Sequence, residues 1–372
     1  MKILPRVDWV LILTVLPILG AGLVTMSSFG APTDRFFSHQ LLWIGVSLAI
    51  FFGFSFIDFR FLRRTGVLVT LFLISCSLLV LLFILGHTSK GATSWFNFGG
   101  FSFQPSDPIK IVLILILAKY FSRRHVEIAH IRHIIVSGIY AFVVFALIIV
   151  QPDFGSAITI FLIWFGMVLV SGISRKHLFL VFFIGALAFG GLWQFGFKEY
   201  QKNRILNFLH PLANISGTGY NAYQSTITVG SGKIFGKGIG YGTQSHLKFL
   251  PEYQTDFIFA AFAEEWGFIG VMILLILFSI VMWRILFNAM RGATNFEILF
   301  GTGLAVLFMS HFFINVGMNI GLLPVTGITL PFMSYGGSHL ISEFAGLGIL
   351  MGMRRYARAA HKDVIKNEFL GV

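Results

Sequence analysis

Residues 66–86 read GVLVTLFLISCSLLVLLFILG, without one charged side chain. Coiled as an α-helix at about 1.5 Å per residue, this run spans about 31 Å, the thickness of a bilayer's hydrocarbon core. Similar runs recur along the chain at about 9–28, 39–57, 106–121, 133–150, 156–172, 178–197, 257–286, 298–319 and 337–353. The short alternating segments of a transmembrane barrel are absent. The pattern predicts an all-α polytopic membrane protein of about ten transmembrane helices, with residues 1–372 as a single domain.

Composition agrees. The chain is 56% hydrophobic and 11% charged, with a mean hydropathy of +0.84, too little polar material to cover a soluble protein of 372 residues. The net charge of +12 does not indicate nucleic acid, because the basic residues sit in short turns between apolar runs. The single cysteine, Cys76, lies inside such a run and supports no disulfide framework. The first run lacks a small-residue cleavage site and reads as a retained helix.

An even number of spans puts both termini on one side. Alternating assignment gives that side 18 of the 27 Lys and Arg residues, so both termini are expected in the cytoplasm, with 354–372 as a basic cytoplasmic tail. Residues 198–256, between the seventh and eighth spans, then form a large extracytoplasmic loop. Six of the nine outer cations fall there: Lys198, Lys202, Arg204, Lys233, Lys237 and Lys248. Positive-inside topology disfavours them, so they need an anionic ligand or anionic headgroups of the outer leaflet.

That loop runs into FLPEYQTDFIFAAFAEEWG (249–267), which gathers Glu252, Asp256, Glu264 and Glu265 at a membrane boundary in a chain with only 15 carboxylates. The eighth span is too long for one crossing, so its first part is expected at the outer interface. The fourth span has the opposite defect: from Ser106 to Phe121 it reaches only about 24 Å. Ser106 reads as its N-cap, with Asp107 and Pro108 in the first turn. Its outer end should therefore lie below the surface, met by the 91–105 loop. Asp107 and Lys110, three residues apart, share a face and can pair; the pair reads equally as a functional site or as a packing device. QPDFGSA (151–157) is another polar break. Residues 315–338, NVGMNIGLLPVTGITLPFMSYGGS, join the last two spans with almost no charge and are expected to form a re-entrant segment. His339 and Glu343 are one turn apart on the last span and His311 lies on the ninth, more in keeping with a local hydrogen-bonded pair than with a proton relay.

Several chemistries find no support. GSGK (230–233) fails as a phosphate loop because Ile234 stands where Ser or Thr is required, and its glycines suit close backbone packing instead. There is no HExxH, no Cys/His cluster and no GxSxG.

The stretches KGATSWFNFG, FQPSDPIK, QPDFGSA, YQKNRILNFLHP, GTGYNAYQS, GSGKIFGKG, GTQSHLKFLPEYQTDFIFAAFAEEWG and NVGMNIGLLPVTGITLPFMSYGGS resemble those of the SEDS family (shape, elongation, division and sporulation). They appear in family order over nearly the whole chain and are closer to the RodA branch than to the FtsW branch. The resemblance implies ten spans in the bacterial cytoplasmic (inner) membrane. It implies a peptidoglycan glycosyltransferase that polymerises lipid II on the outer face, for cell elongation and rod shape, with a class B penicillin-binding protein as transpeptidase partner. The family's essential aspartate falls on Asp256, and its acid–lysine pair on Asp107 and Lys110. Two positions depart from the pattern: Asp107–Pro108 stands where Glu and a non-proline are usual, and Ser94 precedes Trp95 where Arg is usual.

An inverting transfer needs a base at the attacking hydroxyl and cations at the departing undecaprenyl pyrophosphate. Asp256 is the candidate base. Lys110, Lys202, Arg204, Lys233 and Lys237 are candidate phosphate contacts, with Asp107 paired to the first. Gln151, Asp153, Tyr200 and Gln224 are candidates for positioning sugars or ordering the loop. No cofactor is implied with certainty; a divalent cation bridging Asp256 and pyrophosphate stays open, without a visible ligand cluster. The partners expected are lipid II, membrane lipids and the transpeptidase, and no nucleic acid. A lipid II flippase and a non-catalytic scaffold of the elongation machinery remain the alternatives.

Overall fold

A computed structural model describes residues 7–29, 36–89, 92–97, 102–123, 131–197, 199–210, 219–247 and 249–369. Each expected span coincides with a helix: α1 (Trp9–Phe29), α2 (Phe36–Phe56), α3 (Thr65–Leu85), α4 (Ser106–Ser122), α5 (Ile131–Val150), α6 (Phe154–Val170) and α7 (Arg175–Gly191). After the shorter α8 (Glu199–Leu209), α9 (Tyr220–Ser231) and α10 (Thr243–His246) come α11 (Ile258–Ala289), α12 (Asn295–Asn319) and α13 (Gly337–Phe369). Seven are long and apolar enough to cross a membrane: α1, α2, α3, α5, α7 with its one-turn extension to Gly196, α11 and α12. The protein is a polytopic helical membrane protein.

Two helices that fall short of that test, α4 and α6, are packed among other helices. In α4, 12 of 17 residues are buried, and α6 is apolar but only 17 residues long. An enclosed helix needs no lipid-facing coat, which leaves α4 room for Asp107, Lys110 and Lys119. At the centre, α12 packs against α4, α6, α11 and α13, while α13 lies along α2 and α1 along α11. Small residues set these approaches: a Cβ on Gly303 of α12 would stand 2.6 Å from Ile114 of α4.

At the end carrying the basic turns, Asp8 accepts hydrogen bonds from Arg284 (2.6 Å) and Asn288 (2.6 Å) and lies 3.4 Å from Arg354. This ties the start of α1 to α11 and α13. Arg63 pairs with Glu297 beside it.

Three expectations change. The segment before α4 contains a three-stranded antiparallel sheet, β1 (His87–Ser89), β2 (Ala92–Asn97) and β3 (Ser102–Phe103), so the fold is not purely helical. Aromatic residues pair across it, Phe96 opposite Phe103. Ser106 is the first residue of α4 rather than its cap; Pro105 holds that place without a side-chain bond, and Ser106 Oγ sits 3.3 Å from Ser156 Oγ. Finally, α13 continues to Phe369 through the expected tail, because RRYARAAHKDVIKNEF holds good helix formers and neither Pro nor Gly.

Within α11 the chain is broken at Gly267, at φ 66° and ψ −167°. Main-chain groups of the 233–238 loop replace the helical bonds lost there. Phe268 and Ile269 donate to the carbonyls of Lys233 (2.9 Å) and Ile234 (3.1 Å), and those of Glu264 and Glu265 accept from Lys237 and Gly238 (both 3.0 Å). The loop can come this near because Gly236 faces the break: a Cβ there would be 2.0 Å from the Glu265 oxygen.

Candidate active-site cavity

Asp256 sits in the turn that leads into α11, and two asparagines hold its main chain. Asn315 and Asn319, one turn apart on α12, each donate from Nδ2 to the Asp256 carbonyl at 3.0 Å. Asn319 Oδ1 accepts from Ala260 N at 3.2 Å, so the same side chain also satisfies one amide at the start of α11. From the 320–336 segment, Ser334 Oγ donates to Thr255 O (2.7 Å) and Tyr335 N to Gln254 O (2.8 Å). That segment packs inward, with Ile328, Leu330, Phe332 and Met333 buried. Gly327, at φ 77°, passes so near that a Cβ would lie 3.7 Å from Asp256 Oδ2. The backbone of Asp256 is thus fixed from two sides, and the residue lines a cavity.

The cavity is polar, with a volume of about 280 Å³. Asp256, Asp107, Lys110, Asp153 and Arg204 all line it, together with Ser94, Trp95, Gln104, His311, Tyr335 and His339. Lys110 Nζ donates to Asp107 Oδ1 at 3.1 Å, and both side chains are almost wholly buried. Asp107 Oδ2 has no hydrogen-bond partner among the described residues. Asp153 caps α6, accepting from Ser156 N at 3.0 Å, and its other oxygen accepts from Gln104 Nε2 at 3.1 Å. Ser94, buried and with no partner for its Oγ among the described residues, occupies the cavity wall where the family pattern has Arg.

The remaining sequence candidates lie elsewhere. Gln151 is buried and donates to Leu79 O at 2.8 Å, joining α6's approach to α3. Gln224 donates to Gln244, between α9 and α10. Lys237 Nζ meets the fully buried Glu264 at 2.7 Å and Thr243 Oγ1 at 2.7 Å. Lys233 is exposed at the start of the 233–238 loop, and Lys202 is half-buried on α8, both outside the cavity lining. Tyr200 belongs to α8, but its side chain, like Lys198 and Lys248, is outside the described residues. No group of three metal-ligating side chains occurs among the described residues. The site residues that sequence reasoning missed are Asn315, Asn319, Gln104 and Trp95. The two asparagines carried a signal, being amides at i and i+4 near the end of a largely apolar helix.

A family model described as cell cycle protein, covering FtsW, RodA and SpoVE, matches residues 3–359. The chain belongs to this family. The peptidoglycan glycosyltransferase MrdB of Escherichia coli K12 is 38% identical over 294 residues, 79% of each chain. Stage V sporulation protein E of Bacillus subtilis is 34% identical, across 94% of this chain and 98% of its own. Among solved structures, one describing how a peptidoglycan synthase complex coordinates polymerization and crosslinking superposes with a TM-score of 0.81 at 32% identity. It covers 95% of this chain and 99% of that one. The rod shape determining protein RodA of Thermus thermophilus superposes at 0.71 with 29% identity, over 95% and 98%. The SEDS resemblance of the motifs and the family match therefore agree over nearly the whole length.

Proposed function

We propose that the protein is a peptidoglycan glycosyltransferase that polymerises lipid II for cell elongation. The observation that carries this reading is the single cavity in which the Asp256 carboxylate shares walls with Lys110 and Arg204. In the reaction, the acceptor sugar's 4-hydroxyl attacks C1 of the donor. The C1–O bond to the lipid pyrophosphate breaks with inversion, and Asp256 takes the hydroxyl proton. Lys110 and Arg204 face the negative charge that gathers on the departing pyrophosphate. Asn315 and Asn319 fix the base without touching substrate. Trp95 and Tyr335 offer faces for the sugars, and Asp153 and Gln104 offer polar edges.

The membrane arrangement belongs to the same proposal. Ten helices cross the bacterial inner membrane with both termini in the cytoplasm, the 198–256 loop lies outside, and 320–336 re-enters from the outer side. The partner is a class B penicillin-binding protein, a reading supported by the synthase complex that this chain resembles. A divalent cation at the pyrophosphate would be supplied with the substrate, held by its oxygens and Asp256.

The test uses purified protein with its transpeptidase partner and lipid II, with glycan strands resolved on gels. Strands from the parent and none from Asp256→Asn are expected. Strands from both would remove Asp256 as the base. Strands from neither, with both proteins folded, would favour a flippase or a scaffold.

A further inference from the structure

The proposed reaction uses Lys110 but leaves the ionisable side chains grouped with it, Asp107, His339, Glu343 and His311, without a role. His339 Nδ1 lies 3.6 Å from Asp107 Oδ1, and its Nε2 lies 2.8 Å from Glu343 Oε1. One imidazole therefore spans two carboxylates from two helices, α4 and α13. Glu343 is itself anchored, since its second oxygen accepts the amide of Phe332 at 3.0 Å. On the other side the His311 ring of α12 stacks on His339 at 5.0 Å and 6°. The groups facing His339 are thus Asp107 and Lys110 from α4, His311 from α12 and Glu343 from its own helix. These same side chains line a small pocket directly behind the cavity wall.

Charge counting gives the imidazole its task. Asp107 and Glu343 bring two negative charges, and Lys110 brings one positive. An imidazolium at His339 completes the balance, whereas a neutral ring leaves the group net negative beside a site meant for a pyrophosphate. The geometry also limits how Lys110 can act. Lys110 donates to Asp107 Oδ1 at 3.1 Å and His339 Nδ1 faces the same oxygen at 3.6 Å, so a charged ring draws on the same carboxylate and lessens its hold on the ammonium at the cavity wall.

We propose that His339, anchored by Glu343, is a positioning residue for the Asp107–Lys110 pair, and that its imidazolium form presents Lys110 to the anionic pyrophosphate of the lipid-linked donor. This rests on the glycosyltransferase reading only for the donor's identity. Its effect falls on donor binding rather than on the proton transfer at Asp256. Loss of the imidazole raises the KM for lipid II and spares most of kcat. It also removes one ionisation from the pH profile, in which the parent binds less tightly as the ring loses its proton.

The test pairs two readouts on the full chain. Lipid II binding is followed by the rise in Tm that it produces, and polymerisation by initial rates, each from pH 5.5 to 9 by design of the assay, about the range over which a histidine titrates. Parent, His339→Gln, Glu343→Gln, Asp107→Asn and the His339→Gln/Asp107→Asn double variant are compared. Unliganded Tm values show which variants fold. For His339→Gln a KM about tenfold higher is expected, the size of one charge-assisted hydrogen bond, with kcat within about threefold and the alkaline weakening of binding gone. Glu343→Gln should weaken binding less, and the double variant should be no worse than Asp107→Asn alone. A parent-like KM and pH profile in His339→Gln, or full additivity in the double variant, overturns the proposal. If the parent binds lipid II with this His339 dependence but makes no strands, the glycosyltransferase reading fails and the positioning role stands. If the parent makes strands and His339→Gln matches it, only the positioning role fails.

Discussion

Replacing Gly267 by Ala tests whether the outer loop is built around the break in α11. The residue sits at φ 66° and ψ −167°, a region that only glycine enters at low cost, with strain of about 1–3 kcal/mol for other residues. A methyl group there meets backbone on every side: Gly236 N at 2.1 Å, Ile234 O at 2.6 Å and Phe235 C at 2.7 Å. None of these can swing away as a side chain would, so the loop must lift from the helix. Lifting endangers the four main-chain bonds that join residues 233–238 to α11, at about 0.5–1.5 kcal/mol each. Strain together with two or more lost bonds predicts a destabilisation of about 3–5 kcal/mol.

The assay is thermal unfolding in detergent beside limited proteolysis of the 231–242 loop. Gly267→Ala should melt several degrees below the parent and be cut in that loop while the bundle is still folded. Gly230→Ala is the matched control: it lies in α9, and a Cβ there meets nothing within 4 Å. That change should be neutral or stabilising by up to about 1 kcal/mol. A Gly267→Ala protein that melts with the parent and resists the protease would show that the loop is not seated by this break.

How much of this was legible beforehand depended on whether the physics was local. Apolar length located a helix at each expected run, seven of them long and apolar enough to cross a membrane, while the boundaries of α4 and α6 showed as polar breaks and basic turns. The short sheet before α4 was missed because its strands are held by pairing partners, which one strand's sequence does not announce. For the site, Asp107 and Lys110 were readable because one helical turn places them together, and Arg204 and Asp153 because charges at a membrane boundary are scarce. Gln151, Gln224 and Lys237 stand outside the cavity for a common reason. Each polar group is absorbed by a nearby structural partner, Leu79 O, Gln244 and Glu264, and only tertiary contact shows that the demand is already met. The same limit hid the contact between His339 and Asp107, which lie on different helices.

Two further outcomes follow from buried charge. Burial pushes the Asp8 carboxyl up, but hydrogen bonds from Asn288 and Arg284 outweigh it and hold the group below the usual carboxylate range. A depressed folded pKa adds stability above the unfolded value of about 3.9 and forfeits it as pH falls through the folded one. Asp8→Asn should therefore melt below the parent at pH 6, with the gap closing toward pH 3; a gap that is constant with pH would refute this. Asp107→Ala leaves Lys110, with 5% of its side chain exposed, buried without the carboxylate that it hydrogen-bonds, a loss of about 3–5 kcal/mol. Asp107→Glu keeps the carboxylate and supplies the family's usual residue, so it should retain both fold and strand synthesis. The contrast matters because Ala and Glu both change the volume at position 107, while only Ala removes the charge. If both variants lose stability equally, packing at the start of α4 governs the position and the ion pair does not. If Asp107→Ala melts and polymerises as the parent does, Lys110 is neutralised by another group and the pair has no role in the cavity.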